Sequence, residues 1–361
     1  MKKIKGVFNQ FLTASLFLAA FGCKKGIVEN QADPLLSTGK QNSTVKTLGA
    51  TPDVYVAGFK NGAAVYWKNG VATILMGGTE ATGIEVVGND VHVSGKGVNS
   101  STGAATAIYW LNNGLPTVLD NGGTTDDAWT TGITVVGTHV YISGFLGRYS
   151  QKPVYWLDGV LTPLDLNYSG KIAGPIRVGS NGEILIPNMN GNSYWNNGTE
   201  ITLQKPTAQP AGASVSAYAN GITVNGTDVY VLGNAWVGAI ERAVYWKNGG
   251  APISLSSVGY GRAYDLKFTA SGSFYISGYQ GASESDTRLG IWNNGLPAMT
   301  AWGTKSYIGI PRMAVNGDDI YICGGEMEGT TTLIAKYWLN GTAVPLTDAS
   351  SYASASDIKV Y

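Results

Sequence analysis

Histidine and cysteine are almost missing: His92, His139, Cys23 and Cys323 are all there are in 361 residues. So few soft or imidazole donors exclude a His/Cys-built zinc or copper centre, and no cofactor is expected. Two cysteines also make no disulfide framework for a chain of this length. Charge is thin, at 13% of residues, with Lys+Arg and Asp+Glu equal at 24 each and no basic block beyond Lys25. Nucleic-acid binding needs clustered cations, so no nucleic-acid partner is expected, nor a polybasic membrane patch. The apolar run Phe11 to Phe21, broken by Thr13 and Ser15, is too short to span a bilayer as a mature anchor.

That run does suit export. Lys2, Lys3 and Lys5 precede it with no acidic residue, and Ala20-Phe21-Gly22-Cys23 follows. The pattern resembles a bacterial lipobox, in which the cysteine is lipidated and becomes the new N-terminus; Ala20-x-Gly22 also suits ordinary signal cleavage. The resemblance implies a signal peptide over 1–22, lipidation at Cys23, and a chain held to the membrane through its lipid alone. Cleavage would leave three more acids than bases. Residues 24–52 are polar and aperiodic, which predicts a flexible tether. Lys24 is not the Asp that retains some lipoproteins at the inner membrane, so the expected location is the outer membrane, on either side of it.

Fifty glycines and 11% aromatics point to many tight turns between packed strands. A step ending in Trp recurs at 67, 110, 156, 195, 246, 292 and 338, at spacings of 43, 46, 39, 51, 46 and 46 residues. Such periods belong to propeller blades or helical arrays. The local pattern alternates with period two and is rich in Val, Ile, Tyr and Thr, which excludes helices. The fifth repeat shows the unit: strand A at 221–224, strand B at 229–232, strand C at 243–246 and strand D at 252–255. Asn-Gly or Asp-Gly follows strand C every time, at 69–70, 113–114, 158–159, 197–198, 248–249, 294–295 and 340–341, a pair that accepts φ > 0. Asp90, Asp228 and Asp319 are expected to cap the A–B turns.

The first repeat lacks a strand A, and 356–361 reads as an orphan strand A. The predicted fold is therefore an all-β, seven-bladed β-propeller over 53–361, built of four-stranded antiparallel blades and closed by the C-terminal strand joining the first blade. Val54-Tyr55-Val56-Ala57-Gly58 and Val65-Tyr66-Trp67-Lys68-Asn69-Gly70 resemble repeats of uncharacterised extracellular bacterial lipoproteins predicted to be propellers. The resemblance spans about 53–361 and implies a fold and an external location, with no activity. Kelch repeats fit less well, since only Ile322-Cys323-Gly324-Gly325 carries their glycine pair.

The seven repeated Trp and their neighbours are expected to fill blade interfaces. Three further Trp (Trp129, Trp236 and Trp302) fall in segments expected to be variable loops, and are divided between ligand contact and local packing. Four residues before the first apolar residue of strand A stand Glu80, Trp129, Ile172, Tyr218, Arg262, Gly309 and Ser354, predicted to ring the mouth of the central channel. One backbone position carrying acid, base and aromatic suits a ligand pocket and equally suits drift. Ligand-binding candidates are thus Trp129, Trp236, Trp302, Tyr218, Arg262 and Glu80. The histidines are expected to be structural. Loop carboxylates Asp126, Asp127, Glu284, Asp286, Glu326 and Glu328 could act on a polysaccharide as a pair, though solvated loop charge is the commoner role. The leading expectation is a monomeric, non-catalytic binding module for a glycan, peptide or partner protein. The alternatives are a scaffolding subunit of an envelope complex and, behind it, a polysaccharide-acting enzyme.

Overall fold

The computed structural model describes residues 51–120, 126–167, 169–207, 211–255, 259–283, 287–297, 307–329 and 331–361. Cys23, Trp302, Glu284 and Asp286, with the expected signal peptide and nearly all of the tether, lie outside the described residues. Among the described residues, twenty-eight strands build seven sheets. Blade one holds β1 (Val54–Lys60), β2 (Ala63–Lys68) and β3 (Val71–Ile74). Blade two is β4 (Gly78–Val87), β5 (Asp90–Val98), β6 (Ala105–Leu111) and β7 (Thr117–Asp120). Blade three is β8 (Ala128–Val136), β9 (His139–Leu146), β10 (Lys152–Leu157) and β11 (Val160–Pro163). Blade four is β12 (Arg177–Val178), β13 (Ile184–Pro187), β14 (Ser193–Asn196) and β15 (Thr199–Thr202). Blade five is β16 (Val215–Asn225), β17 (Asp228–Val237), β18 (Ile240–Lys247) and β19 (Ile253–Ser254). Blade six is β20 (Tyr260–Phe268), β21 (Phe274–Gly281), β22 (Thr287–Asn293) and β23 (Leu296–Pro297). Blade seven is β24 (Tyr307–Asn316), β25 (Asp319–Glu328), β26 (Thr332–Leu339) and β27 (Thr342–Pro345). The last strand, β28 (Ala353–Val360), returns to blade one, whose order is β28-β1-β2-β3. The fold is a closed seven-bladed β-propeller.

Alternation along strand C explains the core. Trp67 and Tyr66 point to opposite sides of β2. Trp67 joins Tyr321, Cys323 and Ala335 of blade seven, while Tyr66 packs on Ile84 and Trp110 of blade two. Each of the seven hydrophobic clusters spans one pair of neighbouring blades in the same way. All seven repeated Trp are buried.

The turn after strand C is a clamp. Its first residue lies at φ 48–52° in every blade. Its side-chain oxygen accepts the N–H that opens strand B, as when Val229 donates to Asn248 Oδ1 at 2.8 Å; the other six blades repeat the bond. In blade two the clamp is Asn112, followed by Asn113 at φ 58°, so the turn falls one residue ahead of the expected Asn113-Gly114. Asp90, Asp228 and Asp319 do not simply cap the A–B turn: each accepts from the clamp Asn of its own blade, at 2.6–2.8 Å. His92 Nδ1 meets Tyr109 Oη at 2.7 Å, and burial lowers the pKa of His92. His139 Nδ1 lies 2.7 Å from Asp158 Oδ2.

The strands run further than the apolar alternation suggests. Trp129 lies on β8 and Trp236 on β17, not in loops. Polar residues extend those ladders: Ser216 pairs with Trp236, and Trp236 with Glu241. Backbone pairing continues where hydrophobic periodicity stops, so pattern reading ends each strand early.

Candidate functional site

Six inner strands carry a β-bulge in the same region. The extra residue is Thr82, Thr131, Asn220, Tyr264 or Ser356, and in β24 the pairing skips 309–311. A bulge bends its strand and redirects a side chain. Here it sends side chains to the next blade: Thr131 Oγ1 donates to Ala173 O at 2.7 Å, and Asn220 Nδ2 to Ala263 O at 3.2 Å.

In five of these strands the predicted mouth position stands two residues before the extra residue, and in β24 Gly309 lies within the skipped stretch. Antiparallel register sets a strand B residue beside it: Ser354 with Phe59, Glu80 with Lys96, Trp129 with Phe145, Tyr218 with Asn234, and Arg262 with Tyr279. This second ring escaped the sequence reading. Its signal is present, since each partner directly follows a strand B glycine: Gly58, Gly95, Gly144, Gly233 or Gly278.

The candidates fall into two groups. In the first, Glu80 pairs with Lys96 at 2.8 Å, and Lys96 Nζ lies 3.9 Å from the centroid of the Trp129 ring. Phe145 lies parallel to Trp129, with centroids 6.0 Å apart. Glu80 also lines a cavity of about 400 Å³ with Thr82, Thr131, Gly309, Tyr352 and Ser354. In the second, Tyr218, Trp236 and Arg262 line one cavity of about 480 Å³ with Asn220, Asn234 and Glu241. Met189 borders both cavities.

The second cavity is built on a polar relay. Arg262 Nε donates to Glu241 Oε1 at 2.6 Å and its Nη2 to Tyr260 Oη at 2.9 Å. Asn234 Nδ2 also donates to Glu241 Oε1, and Asn220 Nδ2 to Asn234 Oδ1 at 3.0 Å. Burial opposes the Arg262 cation, but the contact with Glu241 outweighs it and raises the guanidinium pKa. Trp236 meets Tyr260 edge to face, with centroids 5.8 Å apart.

Two carboxylates expected to be solvated loop charges are buried instead, and Glu326 lies on β25. Asp127 binds Arg148 at 2.8 Å, which lowers the Asp127 pKa, and Glu326 contacts Lys336 Nζ at 2.5 Å. Leaving either charge unpaired inside would be costly, which explains the tight partners.

No family model and no curated protein matches the chain. Among solved structures, TolB from Acinetobacter baumannii is similar at 13% identity and TM-score 0.42, over 74% of this chain and 66% of its own length. A polysaccharide lyase, an ulvan lyase, is similar at 12% identity and TM-score 0.48, over 73% and 81%. Virginiamycin B lyase from Staphylococcus aureus follows at 11% identity and TM-score 0.43, over 78% and 94%. Likeness at this level concerns architecture alone and brings no substrate to this chain.

Proposed function

We propose that the protein is a non-catalytic binding module of the bacterial cell envelope, lipid-anchored through Cys23, that takes a glycan at the mouth of its propeller. The observation that carries this is the convergence of Tyr218, Trp236 and Arg262, from three strands of two blades, on one polar cavity. Flat aromatic rings beside amide, carboxylate and guanidinium groups suit a sugar ring and its hydroxyls. The cavity lined by Glu80 and the Glu80–Lys96–Trp129 group extend the same surface through Met189.

The polysaccharide-enzyme alternative is weakened by Asp127 and Glu326, whose carboxylates are engaged in ion pairs. The scaffolding alternative draws support from the outer strands of blades one to three, where Val71, Ile74, Val118 and Val160 are exposed.

A glycan array on the mature protein tests the reading. Binding is expected for the wild type and weakened binding for Trp236→Ala. An array without a ligand, together with a protein partner captured at fixed stoichiometry, would favour the scaffold. For the anchor, Cys23→Ser is expected to abolish labelling by a fatty-acid analogue and to release the protein from membranes. A wild type that is never labelled sinks that part.

A further inference from the structure

We propose that the cavity formed by blades four to six is a subsite for an uncharged sugar ring, with Glu241 accepting a ring hydroxyl. This rests on the binding-module reading above and adds the charge class and the contacts of the ligand.

Glu241 is 1% exposed and lines the cavity. Its Oε1 is shared by Arg262 and Asn234, yet its Oε2 is buried with no hydrogen-bond partner among the described residues. Buried carboxylate oxygens normally hold a donor, and one left without carries a desolvation cost that a donor relieves. A ligand hydroxyl is such a donor. Reaching it takes only a small opening of the cavity wall, of the side-chain kind common on binding.

Charge then selects among ligands. Among the described residues, the charged side chains lining this cavity are Glu241 and Arg262, joined at 2.6 Å, so each charge meets its opposite. An anionic ligand would meet the Glu241 carboxylate, and an ammonium would meet the Arg262 guanidinium. A neutral polyol meets neither penalty. The remaining lining suits it: Ser216, Asn220 and Asn234 both donate and accept, and Tyr218 and Trp236 offer flat apolar faces to C–H groups. A peptide also carries donors and acceptors, but its only saturated ring, that of proline, bears no hydroxyl to donate to Glu241.

The experiment is calorimetry on the mature protein with three probe sets. These are uncharged oligosaccharides of glucose, mannose, galactose and xylose; oligosaccharides containing uronic acids; and uncharged peptides. Wild type is expected to bind an uncharged oligosaccharide and to reject the uronic acids. Glu241→Gln keeps the shape and removes the carboxylate charge from the lining. It should weaken the neutral ligand by ~10-fold or more, the cost of losing a charge-assisted hydrogen bond, and admit uronic acids. Ser216→Trp, which fills the cavity from a partly exposed position, should abolish binding without lowering the melting temperature, and so covers a Glu241→Gln protein that fails to fold.

A wild type that prefers uronic acids or peptides overturns the subsite while keeping a binding module. So does neutral-sugar binding that survives Ser216→Trp. Binding of no probe at all overturns both the subsite and the glycan-binding reading beneath it.

Discussion

The carbonyl oxygen of Trp129 occupies the space that a side chain on Gly144 would need. The same holds for Ser354 over Gly58, Glu80 over Gly95, Tyr218 over Gly233 and Arg262 over Gly278. The strand B glycine at these five positions is therefore demanded by the close approach of the inner strand. It lets the inner strand lie close enough to aim the mouth residue, and it seats the buried Trp beneath. A Cβ on Gly144 would also stand 2.7 Å from Trp156 Cζ3.

Gly144→Ala should consequently destabilise the protein by ~3 kcal/mol or more, in the range of overpacked core sites. Gly137→Ala is the control, with open space around it but φ at 61°, so only backbone strain opposes it. Its cost should be ~1 kcal/mol. Urea unfolding of both variants measures the difference. Equal losses would mean that the close approach is unimportant.

The clamp makes a second prediction. Asn112→Ala removes the acceptor of the Val91 N–H and leaves alanine at φ 51°. It should cost ~1–2 kcal/mol, like the loss of a helix cap with added strain. Asn113→Gly should be neutral or slightly stabilising, because φ is 58° there and no side-chain bond to strand B is lost. The reverse order in chemical melts would restore the turn to residues 113–114.

Much of this architecture was legible before any coordinates, because it rests on local signals. The Trp period counts the blades, and the turn pairs mark every strand C. Ile358 and Val360 align with Ile222 and Val224 and mark the missing strand. The equivalence of Glu80, Trp129, Tyr218, Arg262 and Ser354 was legible for the same reason, each standing two residues before a bulge. What stayed hidden depends on pairing between strands. Asn234 and Glu241 carry no apolar alternation, so the facing ends of β17 and β18, over 234–242, looked like a loop. Asn112 and Asn113 are chemically alike, and only register tells them apart. Asp127 and Glu326 look like solvent charges until Arg148 and Lys336 arrive from elsewhere.

Acid should weaken the buried cluster around Asp265 on β20. It is buried, accepts the Met313 N–H at 3.0 Å, and lies 2.9 Å from Lys267 Nζ and 3.9 Å from Arg177 Nη2. Burial pushes its pKa up, but Lys267, Arg177 and Arg312 together pull harder, and the pKa ends below the ordinary value. A carboxylate lowered in this way contributes its full stability above the unfolded pKa of about 3.9, and loses it as pH falls below that toward the folded value. Asp265→Asn should cost ~3–5 kcal/mol at pH 7, since it leaves buried cations uncompensated. The gap to wild type should narrow progressively below about pH 4. Urea midpoints that keep the same separation from neutral pH into the acid range would refute it.

Closure of the ring hangs on the last few residues. Val54 pairs with Val360 and Val56 with Ile358, so β28 supplies the inner strand of blade one. Ile358 is fully buried among Val56, Trp67 and Cys323, which joins blades one and seven. The same segment also reaches blade two. Asp357 Oδ2 accepts the Ile84 N–H at 3.0 Å, Lys359 Nζ binds Glu85 Oε2 at 2.8 Å, and Tyr361 Oη donates to Glu85 Oε1 at 2.8 Å. Three blades thus share one short strand. Ile358→Ala should cost ~2–5 kcal/mol by the cavity it leaves. That is a large part of the ~5–15 kcal/mol that holds a typical domain. Removing 356–361 should do more, because it strips the β1 backbone of its partners as well and exposes two edges to other chains. The truncated protein should melt well below wild type or aggregate on expression. Lys359→Met is the milder arm: it breaks the Glu85 pair but keeps the strand, so the ring should stay closed and the protein monomeric. A truncated chain that melts with wild type would show that blade one does not need its C-terminal strand, and the closed ring would have to be abandoned.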